Sequence, residues 1–230
     1  MATTDHTEAT RILLPPVYAT QNKIRIITAA SLYDGHDASI NIMRRILVAS
    51  GAEVIHLGHN RSVAEIVDTA IQEDAQAIAV SSYQGGHLEF FKYMIDLLKD
   101  RHAAHIRVFG GGGGVISDRE IQALHDYGVC RIFSVEDGSK MGLQGMINFI
   151  LEKSDYDPKH FPISINADAL GFDELARCIT AVEQDAQQVV RVEQAQLFLH
   201  GVATRIQPTH PPVIGITGTG GAGKSSITDE

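Results

Sequence analysis

The sequence predicts an α/β fold: five parallel strands in one open sheet, with helices on both faces. Three observations carry this. Short β-branched or apolar runs recur at Ile24–Thr28, Glu53–Leu57, Ala77–Ser81, Ile106–Phe109 and Arg131–Phe133, each the length of a buried strand. Helical patterns stand between them. Polar, glycine-rich segments follow several of the runs, where loops should leave strand ends.

The helices are justified by their caps and stripes. Ser62-Val63-Ala64-Glu65 has the capping-box pattern, and Val63, Ile66, Val67, Ala70 and Ile71 then share one face. Ser117 and Glu120 repeat the device ahead of Ile121 and Leu124, and Gly128 closes that segment. Leu88, Phe91, Ile95 and Leu98 form a third apolar stripe, and Met146 and Ile150 mark a fourth. Strands alternating with helices need right-handed crossovers and a parallel sheet covered on both faces. For five strands, the flavodoxin-like order 2-1-3-4-5 is expected over residues 23–152.

Around this domain, residues 1–22, with Pro15-Pro16, are expected to form an extended arm that packs against something else. Residues 153–170 form a linker. Residues 171–205 form a helical connector; the stretch between Gly171 and Gly201 has neither glycine nor proline and would span roughly 40 Å as a helix. Residues 206–230 begin another domain. Pro208, Pro211 and Pro212 reset the chain ahead of the apolar run Val213–Thr217.

The composition is that of a soluble globular protein, with 44% apolar and 20% charged residues among 230. A net charge of −9 disfavours a nucleic-acid surface. No apolar run reaches the ~18 residues of a membrane span. Asp5 and Glu8, without an apolar leader, fit neither a secretory nor a transit peptide. Two distant cysteines, Cys130 and Cys178, fit a reduced, cytoplasmic setting. Small-molecule partners are expected, with no nucleic acid and no membrane.

Two segments carry chemistry. The first is Asp34-Gly35-His36-Asp37-Ala38-Ser39, after the first strand. An imidazole there can ligate a transition metal, while Asp34 accepts its other N–H and fixes the tautomer. Gly35 permits the tight turn. In a 2-1-3-4-5 sheet the loop beginning Ser81-Ser82-Tyr83-Gln84-Gly85-Gly86 and the glycine run 110–114 line the same rim. The glycines are expected to clear side chains where a bulky ligand presses on backbone. His56 and His59 are read as ordinary residues, and His87 as a neighbour of the pocket.

The second segment is Gly218-Thr219-Gly220-Gly221-Ala222-Gly223-Lys224-Ser225-Ser226, a complete G-x-x-x-x-G-K-S phosphate loop after an expected strand. Backbone amides from Gly218, Gly220, Gly221, Ala222 and Gly223 onward, with Ser226, would cradle phosphates. Lys224 would reach the β and γ phosphates, and Ser225 would hold Mg²⁺. Only seven residues follow Gly223, so the sequence is expected to be an N-terminal fragment.

Asp-x-His, a later serine and Gly-Gly, over about 130 residues, resemble cobalamin-binding domains that hold the cofactor base-off with histidine on. The resemblance implies His36 as the lower axial cobalt ligand and Asp34 as its hydrogen-bond partner. It places Ser81 against the displaced dimethylbenzimidazole and Gly110 and Gly111 along the nucleotide tail, with Gly35, Tyr83 and Gly85 also counted among the cofactor-binding residues. Two positions depart from the pattern, Ser39 for glycine and Tyr83 for leucine, and both alter the tail pocket without removing the ligand. Ala30 stands where methylmalonyl-CoA mutases often carry lysine, so no lysine relay is transferred.

The order of parts (cobalamin domain, helical connector, phosphate loop) resembles the fused isobutyryl-CoA mutases, which insert a metallochaperone-type GTPase before a substrate barrel. That implies adenosylcobalamin, GTP and Mg²⁺ as cofactors, an acyl-CoA substrate bound by the barrel, and a homodimeric full-length protein. The reaction implied is the radical interconversion of isobutyryl-CoA and n-butyryl-CoA, with no catalytic residue in this segment. Two cobalamin alternatives stand beside it: a methylmalonyl-CoA mutase-type cobalamin domain and a corrinoid carrier module. A phosphate-loop switch with a sensor that binds no cobalamin is a third.

Overall fold

The computed structural model describes residues 15–32, 34–35, 38–156, 175–177 and 179–180. His36, the phosphate loop 218–226 and most of the expected connector lie outside the described residues.

The strands are β1 (Arg25–Ala30), β2 (Glu53–His56), β3 (Ala77–Ser81), β4 (Arg107–Gly111) and β5 (Arg131–Phe133). All pair in parallel, in the expected order 2-1-3-4-5. The helices are α1 (Ala38–Ala49), α2 (Val63–Gln72), α3 (His87–Asp100), α4 (Asp118–Tyr127) and α5 (Val135–Ser154). Both expected capping boxes form, and Gly128 terminates α4 with φ +123°. A third box, Ser134 with Asp137, starts α5; it escapes a search for Glu or Gln at the third position because Asp stands there. Helix α5 runs two residues past the boundary expected at 152 and breaks its helical backbone at Gly142, where φ is +65°.

Alternation along the central strands divides the core. Ile27, Ile78, Val80, Val108 and Ile132 face α2, α3 and α4 with Phe91, Met94 and Leu98. Ile26, Ala77, Ala79, Phe109 and Phe133 face α1 and α5 with Leu47, Met146 and Ile150. Both faces are covered, as a parallel sheet requires.

Residues 15–22, the described part of the N-terminal arm, pack along α5. Asn148 Oδ1 accepts from the Tyr18 amide at 3.0 Å, and Asn148 Nδ2 donates to the Pro16 carbonyl at 2.7 Å. Asp155 accepts from the Gln21 and Asn22 amides, the Asn22 side chain and the Tyr18 hydroxyl. Beyond α5, Tyr156 donates to the carbonyls of Gln76 and His105, closing the lower edge of the sheet. Residues 175–177 and 179–180 are helical, and Arg177 lies beside Asp74 and His105 at that lower edge.

Candidate functional site

Register builds the site. Ala30, Ser81, Gly111 and Phe133 occupy one row across the carboxyl ends of β1, β3, β4 and β5. Three of the four are small, which leaves space above the sheet beside Phe109 and Phe133. Helices α1 and α5 wall that space, and the result is a cavity of about 360 Å³, within the range of small-molecule sites. Its lining includes Ser39 and Met43 of α1, Ser81, Tyr83, Gly110 to Gly113, and Met146 of α5. The rim is apolar and open: Ile42, Val135 and Leu143 line the cavity while remaining half exposed.

The loops above the row are tied together. The Ser31 amide donates to the Ser81 carbonyl at 2.9 Å, and the Ser82 amide to the Gly111 carbonyl at 2.7 Å. The Ser31 hydroxyl donates to Ser82 Oγ at 3.1 Å. Asp34, 1% exposed, accepts from the Tyr83 amide through Oδ2 at 2.6 Å. Its carboxylate thus bridges the loop after β1 and the loop after β3, whatever else it holds. The sequence marks Ser82 only as a member of its loop and Ser31 not at all; nothing short of the pairing register reveals their contact.

Polar satisfaction bears on what this space could hold. Ser81 is 5% exposed, and its hydroxyl has no hydrogen-bond partner among the described residues. An orphan buried hydroxyl costs about 1–3 kcal/mol, and a ligand in the cavity would relieve that cost. The donor set and shape therefore fit a mostly apolar group with one or two polar atoms.

The glycines need correction. Gly110 and Gly111 belong to β4 itself, and a 3₁₀ turn follows at Gly113–Val115. A Cβ on Gly110 would lie 2.4 Å from Phe91 Cζ and 2.7 Å from Ile132 Cδ1. Its missing side chain therefore makes room for the core on the opposite face, not for a ligand. A Cβ on Gly112 would stand 2.0 Å from the Ser82 carbonyl oxygen, so that glycine allows the two rim loops to meet. Gly111 alone of the three presents open space on the cavity side, with only the Phe133 carbonyl nearby at 3.6 Å. Among the described residues, nothing lies within 4 Å of a Cβ at Gly35 or Gly85.

Of the other histidines, the His56 ring nitrogen Nδ1 lies 2.9 Å from Thr28 Oγ1, and His59 is exposed. His87 is buried at the start of α3, with Nε2 3.2 Å from Glu120 Oε1 at an ion-pair distance without hydrogen-bond alignment. It does not line the cavity. Among the described residues, no three His, Cys, Asp or Glu side chains cluster as a metal site, and no helix is long and apolar enough to cross a membrane.

The family described as B12 binding domain matches residues 24–134, the span of the sheet and its rim. The small subunit of 2-hydroxyisobutanoyl-CoA mutase from Aquincola tertiaricarbonis is 37% identical over 109 residues, covering 47% of this chain and 79% of that one. The chain belongs to the B12-binding domain family. Over more of its length this B12-binding chain is similar to two fused isobutyryl-CoA mutases. The one from Geobacillus kaustophilus is 57% identical over 220 residues, 93% of this chain and 20% of that one. The one from Cupriavidus metallidurans is 56% identical over 211 residues, 91% of this chain and 19% of that one. The chain thus spans about a fifth of the length of these relatives.

Proposed function

We propose that this chain binds adenosylcobalamin base-off, with His36 as the lower cobalt ligand, and serves as the cofactor-bearing part of a mutase interconverting isobutyryl-CoA and n-butyryl-CoA. The observation that carries the reading is the apolar cavity beneath the rim, with the orphan Ser81 hydroxyl inside it. That cavity suits the displaced dimethylbenzimidazole tail. Ser81 and Tyr83 would contact the base, Gly111 would give it room, and the Gly110 backbone would line its path. Asp34 would orient the His36 imidazole while holding the Tyr83 loop in place. Gly35 and Gly85, with open space around them, would let the corrin approach the backbone.

When bound, adenosylcobalamin supplies a carbon-centred radical for the 1,2-rearrangement. The chain's own residues bind, orient and shield; substrate contacts would come from an acyl-CoA-binding barrel outside this segment. Similarity to the fused isobutyryl-CoA mutases at 57% identity supports that assignment over a methylmalonyl-CoA mutase-type domain or a carrier module. The phosphate loop 218–226 would bind GTP, with Mg²⁺ on Ser225, as the start of a GTPase that gates cofactor loading. A homodimeric, cytoplasmic full-length protein completes the proposal.

The test is titration of the chain with adenosylcobalamin, then photolysis and reduction to cobalt(II) and EPR. Nitrogen hyperfine splitting should change from triplet to doublet when the protein is ¹⁵N-labelled, and His36→Ala should abolish that change. Splitting that ignores protein labelling, because benzimidazole remains on cobalt, defeats the proposal.

A further inference from the structure

The cavity holds a second orphan that the family pattern does not foresee. Ser39 is the second residue of α1 and lines the cavity. Its hydroxyl is buried and has no partner among the described residues. A serine in the first turn of a helix ordinarily spends its hydroxyl on a free backbone amide or on a carbonyl of the preceding turn. This one does neither. Ser134, another serine lining the cavity, does: its Oγ accepts from the Asp137 amide. Of the three described serines whose buried hydroxyls lack a partner, Ser154 lies elsewhere, while Ser39 and Ser81 both line this cavity, one on the helical wall and one on the sheet floor.

We infer that Ser39 is a specificity-determining binding residue, whose hydroxyl pairs with a polar atom of a planar heteroaromatic group held between α1 and the sheet. Apolar walls from Met43, Leu47, Phe109 and Met146 suit the faces of such a ring. Two hydroxyls at separate points of the slot suit polar atoms at its edge. Each hydroxyl without a protein partner leaves a hydrogen bond for a ligand in the cavity to make. The glycine expected at this position would offer no donor, so Ser39 adds selectivity for a polar base over a purely apolar one. The inference rests on the proposal that the cavity takes the nucleotide tail of a cobalamin.

The experiment compares adenosylcobalamin with adenosylcobinamide, which lacks the nucleotide tail, on the whole chain and on Ser39→Ala and Ser39→Gly. Both substitutions should weaken adenosylcobalamin by about 3- to 10-fold, the worth of one hydrogen bond, and leave adenosylcobinamide unchanged. Thermal unfolding of unliganded Ser39→Ala should show a midpoint equal to or above that of the parent chain, since an unsatisfied group has been removed. A parent chain that binds adenosylcobalamin no better than Ser39→Ala overturns the inference alone. So does an equal loss for both corrinoids, which would place the effect on the loop and not on the tail. A parent chain that binds neither corrinoid overturns the cobalamin reading and this inference with it.

Discussion

Replacing Gly110 by alanine separates two explanations of the glycine run. The added methyl would sit 2.4 Å from Phe91 Cζ, 2.9 Å from Phe91 Cε1 and 2.7 Å from Ile132 Cδ1. Carbon atoms pack at about 3.5–4.0 Å, so the ring must move by about an ångström. It has nowhere to go: Phe91 is 0% and Ile132 1% exposed, and Phe90 holds the Phe91 ring edge-on at 5.8 Å between centroids. Overpacking of this kind costs about 1–3 kcal/mol. With a urea slope of about 2 kcal/mol/M, the midpoint should fall by about 0.5–1.5 M. Phe91→Leu opens space on the same spot, so the double variant should be more stable than the sum of the single losses predicts, by about 0.5–3 kcal/mol. Urea unfolding of the four proteins, followed by far-ultraviolet circular dichroism, reads this directly. A Gly110→Ala protein of unchanged stability that has lost adenosylcobalamin binding would refute the reasoning, because the glycine would then be clearing a ligand path.

Three further outcomes follow from the geometry. Asp34→Ala should destabilise the unliganded chain by about 1–3 kcal/mol in thermal unfolding, because the Tyr83 amide loses an acceptor at 2.6 Å; Asp34→Asn, which keeps an acceptor oxygen, should recover most of it. Asp155→Ala should cost about 1–2 kcal/mol, allowing for partial exposure, and make residues 15–22 sensitive to limited proteolysis, since four donors converge on that carboxylate. Burial pushes the Asp155 carboxyl upward, but the bonds from Gln21, Asn22 and Tyr18 outweigh it and hold the group below its usual range. Burial also drives His105 down to about 4, with the charges of Arg177 and Arg107 adding to the effect. His105 is therefore neutral in the fold, whereas the unfolded chain gains its proton below about pH 6.5. Stability present above that pH is lost as pH falls toward 4, and His105→Gln should flatten that part of a urea-midpoint profile against pH.

Much of the fold was legible because its signals are local. Ser62 with Glu65 and Ser117 with Glu120 cap their helices by contacts three residues apart, and the pattern alone fixes them. The apolar stripe of α3 and the five strand cores likewise depend on period and not on partners. Strand ends were less legible: β1 runs on to Ala30 and β4 to Gly111, since small residues there carry no strand preference and are held only by pairing with Ser81 and Phe133. Gly110 and Gly112 depart from the expectation for a related reason. Whether a missing side chain serves a ligand or a core depends on which face it points to, and Gly110 and Gly111 point to opposite faces.

The sequence by itself determined the layered α/β architecture and marked the three segments that line the rim, because caps and periodicity are properties of short stretches of chain. Tertiary structure decided what the rim encloses. Only register could set Ala30, Ser81 and Gly111 in one row, and only packing could bring the Asp34 carboxylate to the Tyr83 amide and place Ser39 and Ser81, whose hydroxyls lack protein partners, along one cavity. Those relations join residues up to 81 positions apart in the chain, and such distances close only when the two faces of the sheet are packed.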